Sequence, residues 1–364
     1  MPGPGPGSKS QAGGNKAAPA AASNKFKESL RRHFQAEEGA EASIEEEYRR
    51  LMESKQSYNH FLLPKNVTKN RYPNVLLLDS TRVKLKEDKL GAVCDDYIHA
   101  SYVDGYNYPR EYILTQGPLE STEVDLWRMV WQTKSPVLVL LTTVNEVGRH
   151  GPCTNFWGAT NETKTYGEKQ GPAKLIVATE RWIPGEAFDT YKIDVTYKLK
   201  ESLGDHRVQL LHCHRWKQDD QVPDHLHRLV AKARLLHQAA SRKLKAKPPM
   251  TLVCSTGATR CGTYAAMDIS LQLLTQKKRV GIKQVVKQVR AQRYGSVHSV
   301  VHYRKIHEVV MDTAAEAGLL QGEDLDLPAF TFWMNHMPTN PAAPSPQQQQ
   351  QDAAKTPQRQ SSRP

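Results

Sequence analysis

A mixed β-sheet flanked by helices, in the α/β class and of its α+β kind, is the fold that three observations predict. Strand-like segments crowd the middle of the chain, and helical periodicity dominates its last third. Between them a short apolar strand, Met250 to Val253, runs directly into a loop that opens with Cys254 and shuts with Arg260, and a helix follows at once. Strands early and helices late make α+β, or α/β with a mixed sheet, the expected class.

The elements follow in order. Ser43 with Glu46 three residues on reads as a capping box, and Ile44, Tyr48 and Leu51 supply the apolar stripe of a leading helix. Strands are expected at Val137–Thr142, Lys174–Ala178, Tyr191–Leu199 and Val208–Cys213. In the third, Ile193, Val195 and Tyr197 alternate with polar residues, the pattern of a half-buried strand. A long helix spans about Asp224 to Lys245, with Leu226, Leu229, Val230 and Ala233 on one face, and Pro248 and Pro249 stop it. After the Cys254 loop, Tyr264, Met267, Leu271 and Leu274 trace the next helix. Ile282–Arg293 and Ser299–Ala317 supply two more.

Composition bounds the rest. The 364 residues carry 50 Lys+Arg against 38 Asp+Glu, a formal charge of +12, with 38% hydrophobic residues. Residues 1–23 are Gly/Pro/Ala-rich and residues 336–364 Pro/Gln-rich, too poor in large apolar side chains to offset chain entropy, so both are expected to be disordered tails. That leaves one domain over 24–335, leading helical segment included. The longest apolar runs, such as Val137 to Leu141, are strand-sized, and no apolar stretch follows the first methionine. Five irregularly spaced cysteines suit a reducing compartment better than a disulfide framework. The expectation is a cytoplasmic protein, with the nucleus open, and no membrane insertion.

The chemistry sits at Cys254-Ser-Thr-Gly-Ala-Thr-Arg260. A tight loop turning into a helix points several backbone N–H groups inward and adds the positive end of the helix dipole, an anion site. Arg260 can close a guanidinium fork on two phosphate oxygens, which lysine cannot do. The same field lowers the pKa of a thiol at the start of the loop from ~8.5 toward or below neutrality. A thiolate facing a bound phosphate is a nucleophile for phosphoryl transfer. Any single match to this spacing is weak, so its surroundings matter.

Those surroundings are Lys69-Asn-Arg-Tyr72, Asp79-Ser-Thr-Arg-Val-Lys-Leu85, Asp96-Tyr-Ile-His-Ala-Ser-Tyr102, Thr115-Gln-Gly-Pro118, Trp127-Arg-Met-Val-Trp131 and Arg290-Ala-Gln-Arg-Tyr-Gly295. In this order and spacing the chain resembles the tyrosine-specific branch of the protein-tyrosine phosphatase family, over roughly Ile44 to Asp312. The resemblance implies that family's fold and no metal or organic cofactor, with tyrosine-phosphorylated proteins as partners. It implies Cys254 as nucleophile, Arg260 as the clamp on the phosphate, and Ser255, Thr256, Gly257, Ala258 and Thr259 as the loop lining. Tyr72 would be the aromatic wall against which a phosphotyrosine ring stacks. Glu146 would orient the arginine, and Asn74 stands where the family usually has an acidic grip on the substrate backbone.

Departures from the family cluster at the reaction centre. Val253 replaces the histidine before the nucleophile, and Cys261 replaces the hydroxyl after the arginine. The loop that carries the general acid reads Trp216-Lys-Gln-Asp219-Asp220-Gln-Val222-Pro223, one residue longer than usual. Counting back from Val222 makes Asp219 the acid, with Asp220 as the shifted alternative and a pair of solvated carboxylates as the bland reading. His298 and His302 stand where two glutamines usually position the hydrolytic water, or are surface-facing histidines at a helix start. One lost proton donor costs ~10²–10⁴-fold in rate, whereas phosphate capture needs only the loop amides and Arg260. Two readings therefore stand: a phosphatase of weakened or retuned activity, and an inactive pseudophosphatase that shields phosphotyrosine or acts as an adaptor. Cys261 adds an expectation of its own, a reversible disulfide to Cys254.

Two rival classes are weaker. His212, Cys213 and His214 cannot converge on zinc, since a strand turns Cys213 away from the two histidines. The Lys/Arg-rich stretch Ser241 to Lys247 hints at nucleic acid, but no binding motif accompanies it, so no nucleic-acid partner is expected. Oligomeric state is not readable from the sequence.

Overall fold

Strands β1 (Arg82–Lys84), β2 (Tyr97–Val103), β3 (Tyr112–Gln116), β4 (Val137–Leu140), β5 (Thr163–Tyr166), β6 (Ala173–Ile183), β7 (Asp189–Leu199), β8 (Ser202–His212) and β9 (Met250–Cys254) form one sheet in the order β1-β2-β3-β9-β4-β8-β7-β6-β5. The computed structural model describes residues 23–30, 57–86, 88, 90, 95–148, 151–199, 202–216 and 222–320. The helix expected behind Ser43, the acids Asp219 and Asp220, and most of both tails lie outside the described residues. Of the two units into which the chain divides, the first ends at Leu319, and only Leu320 of the second is described.

The middle of the sheet is parallel: β9 lies between β3 and β4, and β4 pairs with β8. Outward from there every pairing is antiparallel. A strand covered on both faces reads as an unbroken apolar run, which explains Met250–Cys254, buried at all its positions. The register sets Gln116 and Cys254 side by side at the strand ends, so β9 delivers Cys254 to the carboxyl edge of the parallel strands.

The antiparallel wing extends the expected strands. β6, β7 and β8 reach 11 residues each, and Ile193 and Val195 point into the core as their alternation predicted. β2 and β3 escape periodicity because both are almost wholly buried, with His99, Ser101, Thr115 and Gln116 included. Helix α1 (Glu123–Thr133) packs Leu126, Trp127, Met129 and Val130 into the core with Val177, Val195 and Val208. The longer helices that follow are α2 (Leu226–Leu244), α3 (Thr259–Lys277), α4 (Ile282–Gln292) and α5 (Val300–Glu316), and the single-turn helices Asn59–Leu62 and Pro64–Val67 precede β1. Ser299 caps α5 by accepting the Val301 N–H at 3.1 Å. A further helical stretch, residues 23–30, buries Phe26 and Leu30, and the Ser23 hydroxyl donates to the Leu319 carbonyl.

One buried network ties α3, the helix that carries Arg260, to its neighbours. Arg234 of α2 pairs with both Asp268 of α3 and Glu111, and donates to the Tyr112 hydroxyl. Gln272 donates to the same hydroxyl at 3.2 Å, and Asn107 to Gln272 at 2.9 Å. Burial raises the Glu111 pKa despite the guanidinium beside it. Two carboxylates sharing one cation leave little margin: Arg234→Met should cost roughly 3–5 kcal/mol. Urea unfolding followed by circular dichroism would show the deficit at pH 7, and acidification, by protonating the stranded carboxylates, should narrow it.

Candidate active site

The turn after β9 is shaped by steric necessity at Gly257. Its φ is +66°, and a Cβ there would lie 2.2 Å from the Thr115 carbonyl carbon, so only glycine fits. The turn aims the Gly257 N–H at Cys254 Sγ, 3.2 Å away. The Thr256 hydroxyl lies 3.8 Å from the same sulfur and accepts the Ala258 and Thr259 N–H groups at 3.2 and 3.4 Å. Ser255 and Ala258 are buried within the turn, and Thr259 opens α3.

Behind the turn stands Arg293, fully buried just after α4. Its guanidinium donates to the carbonyls of Gly257 (2.9 Å) and Thr256 (3.0 Å) and to Ser101 Oγ (3.2 Å), and it meets His99 Nδ1 at 3.1 Å. By holding these carbonyls on the back of the loop, it keeps the amides turned to the front. Burial lowers its pKa to about 10, well above neutrality, so it remains a cation.

Arg260 is held just as firmly. Its two terminal nitrogens reach Glu146 Oε2 and Oε1 at 2.8 Å each, and one of them also donates to the Leu141 carbonyl. Glu146 is itself fixed by a capping box, its Oε2 accepting the Thr143 N–H at 2.6 Å. Burial alone would raise the Glu146 pKa, but the Arg260 and Thr143 hydrogen bonds outweigh it and hold the carboxyl below its usual range. The guanidinium is thus held in place by Glu146 and the Leu141 carbonyl before any anion binds.

Cys254 is fully buried, which by itself would keep its thiol protonated. The Cys261 thiol, the Arg260 charge, the Cys261 N–H and Thr256 overcome this and lower its pKa to about 6. Cys261 is raised well above its ordinary value by burial and by the neighbouring thiolate. The Cys254 thiol is thus drawn toward ionisation without a histidine before it, Cys261 serving as its hydrogen-bond donor.

Tyr72 stands near enough to feel the charges of Arg71, Cys254, Glu146 and Arg260, and burial raises its pKa. Arg71, next to it, fixes this segment: its guanidinium donates to the carbonyls of Gly117, Gly151 and Pro118, and its N–H to Gln116 Oε1. Asn74 is exposed, two residues beyond the tyrosine. Asp79 supports the far side by accepting from the Ser57 hydroxyl and the Asn59 and His60 amides.

The two histidines part company. His298 is exposed, while His302 is buried, its ring edge-on to Trp216 at 5.6 Å, with no hydrogen-bond partner on either ring nitrogen among the described residues. The surface-facing reading therefore fails for His302. Burial, then the nearby Arg260 and His298, lower its pKa to about 4, so it is neutral. Trp216 and Val222 are buried on either side of the segment that holds Asp219 and Asp220, which lie outside the described residues. Val297, before His298, holds φ at +50°, a strained conformation for a β-branched residue. Sequence reasoning assigned no role to Arg71, Arg293 or Trp216. All three fell inside quoted stretches, but their work is done through long-range contacts that residue type alone does not announce.

The linkage at Cys254 can be read directly. Alkylation by iodoacetamide should rise through about pH 6 and level off above it. In Cys261→Ala the thiolate loses its donor, so the midpoint should move upward and the rate at pH 6 should fall. An unchanged midpoint would remove Cys261 from the account.

The geometry has counterparts among known proteins. The family model described as Protein-tyrosine phosphatase matches residues 66–312. The human receptor-type tyrosine-protein phosphatase zeta is 33% identical over 265 residues, 70% of this chain and 11% of that protein. Tyrosine-protein phosphatase Lar of Drosophila melanogaster is 33% identical over 251 residues, 69% of this chain and 12% of that protein. The chain thus spans about a tenth of the length of these relatives. A solved chain, from work on the structural basis of the PTPN18 fingerprint on distinct HER2 tyrosine phosphorylation sites, superposes with a TM-score of 0.66 over 80% of this chain and 99% of its own, at 24% identity, a likeness of fold. With the fold, the loop and the matched span in agreement, this chain belongs to the protein-tyrosine phosphatase family.

Proposed function

We propose that the protein hydrolyses phosphotyrosine on partner proteins through a cysteinyl-phosphate intermediate, at a rate below that of an unaltered family site. The observation that carries this is a buried thiolate with a pKa of about 6 beside an arginine preset by Glu146. Cys254 attacks phosphorus and the bond to the tyrosine oxygen breaks, with Asp219 giving that oxygen its proton. Water then attacks the cysteinyl phosphate, its proton passes to Asp219, and the P–S bond breaks to return the thiolate. Tyr72 walls a slot deep enough for phosphotyrosine, and Asn74 supplies a neutral contact at its rim. The loop residues Ser255 to Thr259 cradle the phosphate. The domain is assigned to 24–335, with the cytoplasm as its compartment, and the expected tail over 1–23 is shortened at Ser23, which belongs to the helical stretch that meets Leu319. Among the described residues no helix is long and apolar enough to cross a membrane.

The second step is the weak one. A hydroxyl after the arginine would donate more strongly to the departing thiolate than the Cys261 thiol does. His302, buried and neutral, and His298, exposed, replace the amides that would hold the water. These departures support the alternative of a phosphotyrosine-binding pseudophosphatase, in which capture by the loop outlives turnover. Cys261 also supports redox protection. Peroxide oxidises the Cys254 thiolate to a sulfenic acid, and the Cys261 thiol displaces water from it to form a disulfide.

Phosphate release from a phosphotyrosine peptide decides between the readings. Cys254→Ser should abolish release, and Asp219→Ala should slow it by ~10²–10⁴-fold. Cys261→Ser should raise kcat several-fold, since it speeds breakdown of the intermediate. Equal background release from wild type and Cys254→Ser, with peptide still bound, would replace the hydrolase with the binder. Mass spectrometry after mild peroxide should find a Cys254–Cys261 crosslink, and higher oxides alone on Cys254 would end the redox reading.

A further inference from the structure

A second cleft, of about 560 Å³, opens away from the Cys254 loop. Part of its wall is Arg110, Lys134 and Pro249, residues that precede β3, β4 and β9. Because β9 is five residues long, at ~3.3 Å per residue its two ends lie roughly 15 Å apart. The cleft therefore meets the amino ends of the parallel strands whose carboxyl edge carries the catalytic turn, and it shares no residue with that turn.

Its lining holds five cations, Lys84, Lys86, Arg110, Lys134 and Lys247, and no acidic residue. Among the described residues none of the five makes an ion pair. Three rest on aromatic faces instead: Arg110 over Tyr102 at 5.0 Å, Lys134 over Trp131 at 3.0 Å, and Lys247 over Tyr108 at 5.1 Å. An aromatic face positions a cation and leaves its charge uncancelled. Burial lowers the Lys134 pKa, the direction expected of a cation lacking a partner. Lys247 ends the basic stretch that begins at Ser241, a feature of the sequence that the catalytic site does not use.

The geometry points to this cleft as a docking site for an extended acidic polypeptide segment of a partner protein, separate from the phosphotyrosine slot. Charge complementarity selects the occupant. A concave groove walled by Tyr102, Pro109 and Pro248 suits an extended segment laid along it, with cations exposed along its length to meet that segment's carboxylates. Docking here would raise the local concentration of that partner at the protein without occupying the catalytic loop.

The test is fluorescence anisotropy of a labelled dodecapeptide of alternating glutamate and glycine, free of phosphate, with the full chain. Binding should weaken as salt is raised from ~50 to ~300 mM. The triple variant Lys84→Gln/Lys86→Gln/Lys247→Gln, whose folding is checked by circular dichroism, should bind at least about tenfold more weakly. An equal loss of charge elsewhere, in Lys277→Gln/Arg279→Gln/Lys287→Gln, should change affinity by less than about twofold. Orthovanadate should not displace the peptide. No binding, an equal loss in both triple variants, or displacement by vanadate would each overturn the assignment. So would capture of phosphatidylserine vesicles, lost in the first triple variant, by a chain that ignores the peptide.

Discussion

A loop that binds an anion through its amides must hold those amides pointing the same way while the anion is absent, and this constraint governs the site. The described contacts meet it with one buried guanidinium. Arg293 takes the carbonyls of Thr256 and Gly257 from behind, and the peptide planes cannot rotate without giving up hydrogen bonds from a group that has no water to turn to. Gly257 supplies the positive φ that lets the plane turn at all. A cation buried without a carboxylate is costly, and four directed contacts from its guanidinium offset that cost. The nearby Cys254 thiolate helps: its charge acts to raise the Arg293 pKa, against the burial that lowers it.

Much of this was legible in the sequence, for physical reasons that differ by residue. Met250–Cys254 announced itself because a central parallel strand is buried on both faces and, Thr251 apart, apolar. The spacing of Cys254 and Arg260 carried the loop because both act on the same small anion and must lie close in the chain. β2 and β3 were not readable as strands: their buried His99, Ser101, Thr115 and Gln116 break the apolar pattern, and they are polar because they face the loop's support. Glu146 needed the family resemblance, since nothing local ties it to an arginine more than a hundred residues away. His302 shows the limit from the other side. Its position near the start of α5 allows either face of the helix, and only packing against Trp216 shows that it turns inward.

In the reaction we propose, the replacement of a hydroxyl by Cys261 would divide the two halves, as follows from the chemistry of a thiol donor. A thiol donor and a guanidinium stabilise a resting thiolate, which serves the attack. Thiolate is also the leaving group of the second half, where a stronger, better directed donor does more to ease its departure. The same substitution therefore costs little at capture and more at release. It also puts a second sulfur beside the first, so that an oxidised nucleophile has a partner that a hydroxyl could not provide.

Division of labour extends through the sheet itself. Parallel strands carry their helix-starting turns at the carboxyl edge, where amide donors and helix dipoles favour a small dianion. Their amino edge receives helix C-termini, whose orphan carbonyls favour cations: Lys134 caps α1, and Lys245 caps α2 two residues before Lys247. The left-handed φ of both caps, 54° and 50°, throws the chain out of the helix with its basic residues still beside the strand ends. Two anion-attracting regions on one sheet thus have different origins, backbone amides at one edge and side-chain cations gathered by helix ends at the other. The first is fixed by backbone conformation and buried hydrogen bonds and tolerates little change, whereas the second is built mostly from exposed side chains that can be altered singly without disturbing the fold.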